Sequence, residues 1–383
     1  MRNKLNIILF SPYLPAPNTS ACARKIYDSI KLLHLRGYRI YLLSFCSKQD
    51  KEKVDLLRPY CAEIHLEEIG GYSRYPRSSS FLSGKITSLC QNKVINILQC
   101  EKAYMGRYLP LNTKVPCVLV EHEILSDSFS ERAKLESNII KKIVLFSRKL
   151  KKHAEEKKWY GKFNQIIVFS EYDKGIIKKS YNFGNVAVIP LGVNLDDYPV
   201  RQEERKSYDL MFVGNFSHRP NIDAVEYFYE EILPLIREKA ADISVIFAGT
   251  NPPVAIKRIS EIDKKVFVTG YINDLAGVYA KARVFIVPIR YGTGMRYKIL
   301  EAMASGVPVV STSIGARGIM LNGSIEIADT QKEFADAVIS LLKNPDIRHN
   351  LTENSRLDIE KSYNWSTLLD KYEDIYDKLV KIN

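Results

Sequence analysis

The sequence predicts an α/β protein with two doubly wound, Rossmann-like domains that face each other across a cleft. Short apolar runs alternate with amphipathic helical segments along the chain, and this alternation is typical of parallel sheets covered by helices. The length of 383 residues is enough for two or three domains of ~150 residues each. Near the middle, a polar segment without apolar periodicity interrupts the pattern, as an interdomain linker does.

The N-terminal domain is predicted to span residues 1–197 and to begin with a strand–helix–strand unit. The run LNIILFS predicts a strand buried on both faces, and a proline-rich loop separates it from a helix over residues 20–36. Gly37 ends this helix, and YRIYLLSF is the second strand, which implies a parallel sheet. Further strands are predicted at KVINILQC, VPCVLVEHE, QIIVFSE and NVAVIPLGV, and further helices over residues 102–109 and 127–160.

The C-terminal domain is predicted over residues 198–364, where strands and helices again alternate. The linker is the polar segment NLDDYPVRQEERKSYD at its start. The predicted strands are YDLMFVGNF, ISVIFAG, KVFVTGYI, RVFIVPI and VPVVST, and the predicted helices cover residues 221–239, 275–282 and 298–305. This regular order indicates a second doubly wound sheet. A long amphipathic helix over residues 365–383 closes the chain, and we expect it to pack back on the N-terminal domain.

The net charge of +12 is distributed unevenly along the chain. Residues 1–200 contain 32 Lys and Arg against 19 Asp and Glu, whereas residues 201–383 contain 24 against 25. Anionic lipid, a pyrophosphate-bearing substrate and nucleic acid are therefore candidate partners of the first half. The most basic segment, residues 141–162, predicts either a solvated helix face or a contact with anionic phospholipid. No nucleic-acid-binding module is recognisable, so we expect no nucleic acid partner.

Other classes of protein are excluded by composition and spacing. Six cysteines occur singly, without a CxxC pair or zinc-ligand spacing, which favours reduced thiols over a disulfide framework. The apolar run at residues 7–10 is too short for a signal peptide, and no segment approaches the ~20 apolar residues of a membrane span. We expect a cytoplasmic protein, peripheral at the inner face of the membrane if the basic segment binds lipid. The acidic pair Asp196 and Asp197 falls in the linker, so no metal site is predicted.

The most informative segment is VFIVPIRYGTGMRYKILEAMASGVPVVSTSIGARGI, residues 284–319. A strand is predicted to end at Pro288, Gly292 and Gly294 lie in the following loop, and the next helix carries Glu301. Glycines at a strand-to-helix turn let backbone N–H groups approach a phosphate at the positive end of the helix. A carboxylate farther along that helix can accept both hydroxyls of a ribose. The segment therefore predicts a site for a nucleoside diphosphate.

On these residues the sequence resembles the retaining, family-4-type glycosyltransferases with the GT-B fold, the glycosyl transferases group 1. The segment KILEAMASGVPVVSTSIGARGI is similar to the second half of the family's Glu-x7-Glu signature. Residues 166–198, 220–236 and 266–288 are similar to the end of the acceptor domain, the start of the donor domain and the nucleotide-base segment. The resemblance implies transfer of a hexose-type sugar from a nucleoside-diphosphate sugar to a glycan or polyprenyl-linked acceptor. It further implies retention at the anomeric carbon, no cofactor or metal, and a role in bacterial surface polysaccharide or glycoconjugate synthesis.

Candidate site residues follow from the motif and from the resemblance. His122 stands at the end of a predicted strand, where the family has a histidine that contacts the transferred sugar. Arg296 and Lys298 are expected at the leaving diphosphate, because a positive charge in the first turn of a helix is otherwise unfavourable. The expected donor-binding residues are Gly214, Arg219, Gly270, Tyr271, Gly292, Thr293, Gly294, Met295 and Glu301, of which Tyr271 either stacks on the base or belongs to the core. Glu101 and Ser20 are expected to face the acceptor.

Three positions depart from the family pattern, and two other functions stay open. Thr293 stands where the first Glu of the signature is expected, residues 18–21 replace a glycine pair, and residues 215–219 replace a basic pair. Recognition of the donor sugar is then expected from backbone groups of the glycine loop or from Arg296. The alternatives are a nucleotide-sugar epimerase on the same fold and a non-catalytic subunit that binds sugar nucleotides. Donor hydrolysis in the absence of acceptor would distinguish the enzymes from the binding subunit.

Overall fold

The computed structural model describes residues 5–17, 20–70, 76, 78–110, 113–200 and 207–382. The chain divides into two compact units, which we call the first unit (residues 1–190 and 366–383) and the second unit (residues 191–365). The division follows Pro190, whereas the sequence predicts it after residue 197. Residues 201–206 of the predicted linker lie outside the described residues.

The first unit is built on a parallel sheet with the strand order β3-β2-β1-β4-β5-β6-β7. Its strands are β1 (Asn6–Ser11), β2 (Arg39–Cys46), β3 (Glu63–Glu68), β4 (Ile97–Glu101), β5 (Cys117–Val120), β6 (Gln165–Val168) and β7 (Val186–Val188). The helices before residue 190 are α1 (Ala21–Leu35), α2 (Ser80–Asn92), α3 (Leu125–Leu135), α4 (Ile139–Tyr160) and α5 (Glu171–Tyr181). The strand order reverses between β1 and β4, and ligands bind at the carboxyl ends of the strands at such a reversal.

The core of the first unit confirms the predicted strand–helix–strand start. All four residues of the run at positions 7–10 are fully buried, as expected of a central strand in a parallel sheet. The rings of Phe10, Phe45 and Tyr108 pack edge to face beside this strand. Gly37 has a φ of 90°, a conformation that glycine adopts at little cost, and it follows the end of α1 as predicted.

The single helix predicted over residues 127–160 is wrong, because the structure has two helices there. The side-chain oxygen of Asn138 accepts hydrogen bonds from the backbone N–H groups of Ile140 and Lys141 at 3.0 and 3.1 Å. An asparagine in this position satisfies donors that have no partner inside the helix, and so it begins a new helix. The helix predicted over residues 102–109 is a short 3₁₀ helix over Ala103–Tyr108.

The second unit is built on a second parallel sheet, with the strand order β10-β9-β8-β11-β12-β13. Its strands are β8 (Tyr208–Val213), β9 (Val245–Ala248), β10 (Val266–Val268), β11 (Ala282–Val287), β12 (Val309–Ser311) and β13 (Glu326–Ile327). Its helices are α6 (Arg219–Tyr227), α7 (Leu233–Lys239), α8 (Val254–Ile262), α9 (Leu275–Ala280), α10 (Tyr297–Ala304), α11 (Gln331–Lys343) and α12 (Pro345–Asp358). A π-helical turn, Phe228–Ile232, joins α6 to α7. Here the strand order reverses between β8 and β11, at the ends of the strands that precede residues 214 and 288.

The last helix, α13 (Trp365–Ile382), belongs to the first unit from Ser366 onward. Arg36 at the end of α1 forms ion pairs with Asp370 and Glu373 of this helix. The Tyr376 ring packs edge to face on Tyr38. The expectation that the C-terminal helix packs on the N-terminal domain is thereby confirmed. All six cysteines are free thiols, and no helix among the described residues has the length and apolar character needed to cross a membrane.

Candidate active site

A buried cluster of charged side chains lies at the strand reversal of the first unit. Glu101 ends β4, Lys25 extends from α1, and His122 follows β5. The Lys25 Nζ and the His122 Nε2 lie 3.0 and 2.6 Å from the same carboxylate oxygen, Glu101 Oε2. Glu101 is fully buried, and Lys25 is 1% exposed. A buried carboxylate therefore binds two cationic side chains at the edge where ligands of such sheets bind.

The proton positions in this cluster follow from the close charges. Burial raises the pKa of Glu101, but the charge of Lys25 and the hydrogen bond of His122 outweigh it and lower this pKa to about 2. Burial lowers the pKa of Lys25, and Glu101 raises it above its ordinary value. For His122, the nearby side chains of Cys22 and Glu101 likewise outweigh burial and raise the pKa. The cluster is thus most stable with Glu101 ionised and both partners protonated.

A second layer of hydrogen bonds holds Glu101 from the other side. Gln99 Nε2 donates to Glu101 Oε1 over 2.7 Å. The Tyr376 hydroxyl, on α13, donates in turn to Gln99 Oε1. Both Gln99 and Tyr376 are fully buried. The C-terminal helix therefore helps to fix the carboxylate that binds His122.

Sequence reasoning located part of this cluster. It placed His122 correctly at the end of a strand, and the structure brings His122 to Glu101. Glu101 was expected to contact the acceptor, but its burial and its three partners favour a role in positioning His122. Ser20 is exposed, and its hydroxyl accepts a hydrogen bond from the Ala23 N–H at 3.2 Å as the N-cap of α1. The remaining loop positions of the absent glycine pair, residues 18 and 19, lie outside the described residues.

A polar pocket of about 310 Å³ opens beside the cluster in the first unit. Its lining includes Lys102, Arg107, Glu121, Glu123, Glu156 and Trp159. Burial, and secondarily the charge of Glu156, raises the pKa of Glu121 to about 7. The pocket thus offers hydrogen-bond donors, acceptors and an aromatic ring, and one of its carboxyl groups is half protonated near neutral pH.

The glycine loop of the second unit has the backbone conformation that its sequence predicts. Gly292 and Gly294 have φ angles of 104° and 82°, a region that costs a residue with a side chain ~1–2 kcal/mol. The Arg296 guanidinium donates to the carbonyl oxygens of Gly292, over 2.7 Å, and of Gly294. Within this loop Met295 is buried and Thr293 is half-buried. Arg296 was expected at the diphosphate, and in the structure it fixes the loop that leads into α10.

Lys298, in the first turn of α10, reaches across to the end of β8. Its Nζ donates to Asn221 Oδ1 over 2.7 Å and lies 4.1 Å from the centre of the Phe212 ring. Burial, together with the charge of Arg296, lowers the pKa of Lys298 to about 7. A bound anion would favour the charged form of this ammonium group and raise its pKa again. Lys298 is therefore the better placed of the two predicted cations for a phosphate.

Glu301, one turn farther along α10, is buried between two tyrosines. The Tyr198 hydroxyl donates to Glu301 Oε1 over 2.5 Å, and the Tyr279 hydroxyl donates to Oε2 over 3.3 Å. Each carboxylate oxygen can accept more than one hydrogen bond, so Glu301 keeps acceptor capacity for a ribose. The tyrosines fix the carboxylate, and sequence reasoning did not find them.

The other predicted donor-binding residues lie at the ends of neighbouring strands or in the loops that follow them. Gly214 follows β8, and a Cβ atom there would lie 2.8 Å from the Asn221 side chain, so only glycine fits without a shift. Arg219 begins α6 and is exposed. Tyr271, after Gly270, is 52% exposed, which argues against a core role. No group of three or more His, Cys, Asp or Glu side chains among the described residues could hold a metal ion.

Comparison with known proteins identifies the chemistry. Residues 207–344 match the family model described as glycosyl transferases group 1. A Methanocaldococcus jannaschii protein named as an uncharacterized glycosyltransferase is 22% identical, over 58% of this chain and 60% of its own length. This chain is a glycosyltransferase. The family match favours the transferase over the epimerase and the binding subunit that the sequence left open.

Three further similarities cover nearly the whole glycosyltransferase. A Klebsiella pneumoniae protein named as an uncharacterized 44.6 kDa protein in the cps region is 23% identical, over 93% of this chain and 96% of its own. The structure of sucrose-phosphate synthase from Thermosynechococcus elongatus superposes with a TM-score of 0.79 at 18% identity, over 99% and 100% of the chains. Anabaena HepE in complex with UDP-glucose gives a TM-score of 0.68 at 12% identity, over 97% and 99%. These superpositions confirm the two-domain GT-B fold.

Proposed function

We propose that this glycosyltransferase takes a sugar from a nucleoside-diphosphate donor bound by the second unit and transfers it with retention to a glycan or polyprenyl-linked acceptor. The observation that carries the proposal is the meeting of the glycine loop, Lys298 and Glu301 at the strand reversal between β8 and β11. A phosphate-binding loop, a cation and a ribose acceptor are the three parts that a nucleoside diphosphate needs. The similar fold of HepE, solved with UDP-glucose, supports this class of donor.

The chemistry requires stabilisation of the charge that grows on the leaving diphosphate. Lys298 supplies a buried ammonium group, and α10 adds the positive end of a helix dipole. Arg296 fixes the conformation of the glycine loop through its bonds to the carbonyl oxygens of Gly292 and Gly294. In retention of this type the acceptor attacks from the side of the leaving group, and the departing diphosphate takes the acceptor proton. No side chain in the second unit then has to act as a general base.

The first unit would bind the acceptor in its polar pocket. Sugar hydroxyls both donate and accept hydrogen bonds, and the pocket offers Arg107 and Lys102 as donors and Glu121 and Glu123 as acceptors. The Trp159 ring also lines the pocket, and the Lys158 and Lys162 Nζ atoms lie 4.9 and 5.1 Å from the centre of this ring. His122 stands at the same strand ends. Its Nε2 is bound to Glu101, which leaves Nδ1, without a hydrogen-bond partner among the described residues, as the nitrogen that would donate to a hydroxyl of the transferred sugar.

Replacing Glu301 by Ala tests the donor site directly. We expect the affinity for the free nucleoside diphosphate to fall by ~1–3 kcal/mol, the cost of losing hydrogen bonds to a charged group. Isothermal titration of wild type and variant with the nucleoside diphosphate measures this change in affinity. Glu261→Ala, which removes an exposed helical glutamate from the same unit, should leave the affinity unchanged. Equal affinity of the Glu301 variant and the wild type would remove Glu301 from the ribose.

We further propose that α4 binds the surface of an anionic membrane. Four apolar side chains at helical spacing, Ile139, Ile143, Phe146 and Leu150, form a stripe that is 68, 63, 53 and 55% exposed. Large apolar side chains exposed together on one helix are unusual on a soluble surface. The same helix carries the basic side chains Lys141, Lys142, Arg148, Lys149, Lys151, Lys152, Lys157 and Lys158. An apolar stripe with flanking cations is typical of helices that lie in the headgroup region of anionic bilayers.

Vesicle co-sedimentation tests the membrane proposal. We expect wild type to bind vesicles of phosphatidylglycerol and phosphatidylcholine better than pure phosphatidylcholine, with binding that weakens as salt rises. Changing Ile143, Phe146 and Leu150 to Ser should abolish binding, and changing Lys149, Lys151, Lys157 and Lys158 to Gln should remove its salt dependence. The matched control changes Val254 and Ile262, exposed residues of α8, to Ser and should bind as wild type. Equal binding to both kinds of vesicle would contradict the proposal.

A further inference from the structure

Asn221, in the first turn of α6, links the loop after β8 to the first turn of α10. Its Oδ1 accepts a hydrogen bond from the Lys298 Nζ over 2.7 Å, and its Nδ2 donates to the Asn215 carbonyl oxygen over 2.8 Å. An ammonium group can only donate and a carbonyl oxygen can only accept, so these two partners fix the orientation of the amide. Both ends of the Asn221 side chain are therefore used.

The backbone around Asn221 holds this amide close to the end of β8. A Cβ atom on Gly214 would lie 2.8 Å from the Asn221 side chain, so glycine leaves the space that the amide occupies. The Asn221 N–H donates to the His218 carbonyl oxygen over 3.0 Å. On the other side of the hydrogen bond, the Lys298 Nζ lies 4.1 Å from the centre of the Phe212 ring. The amide is thus held by its neighbours, and it sets the position of the ammonium group.

The charged and titratable groups around Lys298 are Arg296 and Glu301 on its own helix and Tyr279 on α9. Burial, and then the charge of Arg296, lower the pKa of Lys298 to about 7, while the charge of Glu301 opposes them. The Tyr279 hydroxyl donates to the Lys298 carbonyl oxygen over 3.2 Å and to Glu301. Among the described residues, the acceptor that the ammonium group contacts is therefore the neutral amide of Asn221. A carboxylate in its place would pair with the ammonium group and repel a phosphate.

We propose that Asn221 is a positioning residue of the donor site, which holds the Lys298 ammonium group through a neutral acceptor and so leaves its charge to the diphosphate. The proposal rests on the donor site proposed above. In the free protein the amide satisfies one donor of the ammonium group without neutralising it. The ammonium group has further N–H donors, and these can bond to phosphate oxygens while Asn221 keeps its place. Both the position and the neutrality of Asn221 therefore contribute to phosphate binding.

A double-mutant cycle with Lys298 tests the positioning role. Asn221→Ala should lower the affinity for a nucleoside diphosphate, measured by isothermal titration, by about threefold or more, because the ammonium group is no longer held. In the Lys298→Met background the same substitution should change the affinity by less than about twofold, since no ammonium group remains to be positioned. Equal losses in both backgrounds would show that Asn221 only supports the fold of the loop, and would overturn the proposal.

Asn221→Asp tests the neutrality of the acceptor. The new carboxylate should lower the affinity for the diphosphate by about tenfold or more, and by more than Asn221→Ala does. At pH 8, wild type and Asn221→Ala should take up a proton when the diphosphate binds, whereas Asn221→Asp should not, because its Lys298 is already charged. Binding enthalpies in buffers of different ionisation enthalpy measure this uptake. Equal affinity of Asn221→Asp and wild type, or equal proton uptake, would contradict the proposal.

A measurement without nucleotide separates this proposal from the proposed function. In protein labelled with ¹³C at the lysine Cε, the Cε shift follows the ionisation of each amine, and the Lys298 signal is the one missing from Lys298→Met. Its midpoint should lie near pH 7 in wild type and about one pH unit or more higher in Asn221→Asp. The exposed Lys257 of α8 should titrate alike in both.

Circular dichroism and thermal melting establish that each variant is folded. The absence of diphosphate binding by wild type would refute the donor site itself. An unchanged Lys298 midpoint in folded Asn221→Asp would overturn the role of Asn221 even where the diphosphate binds.

Discussion

Replacing Glu101 by Gln is expected to lower the free energy of unfolding by ~3–5 kcal/mol, because it leaves two buried cations without their carboxylate. Lys25 is almost completely buried, and its Nζ lies 3.0 Å from the carboxylate oxygen that also binds His122. Gln keeps the shape of Glu101 but cannot compensate either charge. Urea unfolding, followed by circular dichroism, measures the difference.

The matched control is Glu68→Gln in the same sheet. Glu68 lies 3.4 Å from Lys51, and both side chains are exposed, so this pair contributes at most ~1 kcal/mol. The pH dependence gives a second check. The pKa of Glu101 is lowered to about 2 in the folded protein, from ~4.3 in an unfolded chain. Its contribution to the free energy of unfolding is therefore complete above about pH 5 and is lost as the pH falls towards 2, a loss that the variant should lack. Similar destabilisation by both substitutions would contradict the role of the cluster.

Replacing Lys298 by Met is expected to weaken binding of a nucleoside diphosphate by ~1.5–3 kcal/mol, the value of a hydrogen bond to a charged group. This corresponds to a loss of about ten- to hundredfold in affinity. The ammonium group lies in the first turn of α10, close to the glycine loop, and its acceptor in the structure is Asn221. Lys257→Met, in the exposed part of α8, serves as the control and should bind as wild type. Equal affinities would exclude Lys298 from the phosphate site.

Binding of a diphosphate should also change the protonation of Lys298. In the free protein its pKa is lowered to about 7 by burial and by Arg296, and the negative charge of a diphosphate would raise it again. At pH 8 the wild type should therefore take up a proton on binding, whereas near pH 5.5 the group is already protonated. Isothermal titration at pH 8 in buffers of different ionisation enthalpy tests this. The observed binding enthalpy should depend on the buffer for wild type and should be the same in every buffer for Lys298→Met.

The local sequence pattern was sufficient to predict the central strands and the glycine loop. The apolar run of β1, the glycines at positive φ and the helix that carries Glu301 all depend on residues close in sequence. The sequence did not predict the strand β3, because EIHLEE is mostly polar. β3 lies at the edge of its sheet, where partial burial allows polar side chains. The break between α3 and α4 depends on one capping residue, Asn138, inside a stretch that is otherwise compatible with a helix.

The partners of the site residues could not be predicted, because they are far away in sequence. Lys25 and Glu101 are separated by 76 residues, and Tyr198 and Glu301 by 103. Only the pairing of β1 with β4 brings the first pair together. A lysine after a proline-rich loop has many possible roles, and the strand reversal alone indicates that this one faces a site.

Thermal unfolding in the presence of nucleotides tests the donor site most directly. Uridine, guanosine and adenosine diphosphates, each beside its monophosphate, are added to wild type, Lys298→Met and Glu301→Ala. At a concentration a hundred times the dissociation constant, a bound ligand raises the free energy of unfolding by ~2.7 kcal/mol, which raises the melting temperature of a chain of 383 residues by about 3–4 °C. We expect one diphosphate to produce such a shift in wild type, its monophosphate to produce less, and both variants to show little. The absence of a shift with every diphosphate at millimolar concentration, or equal shifts in wild type and both variants, would contradict a nucleotide site at the glycine loop.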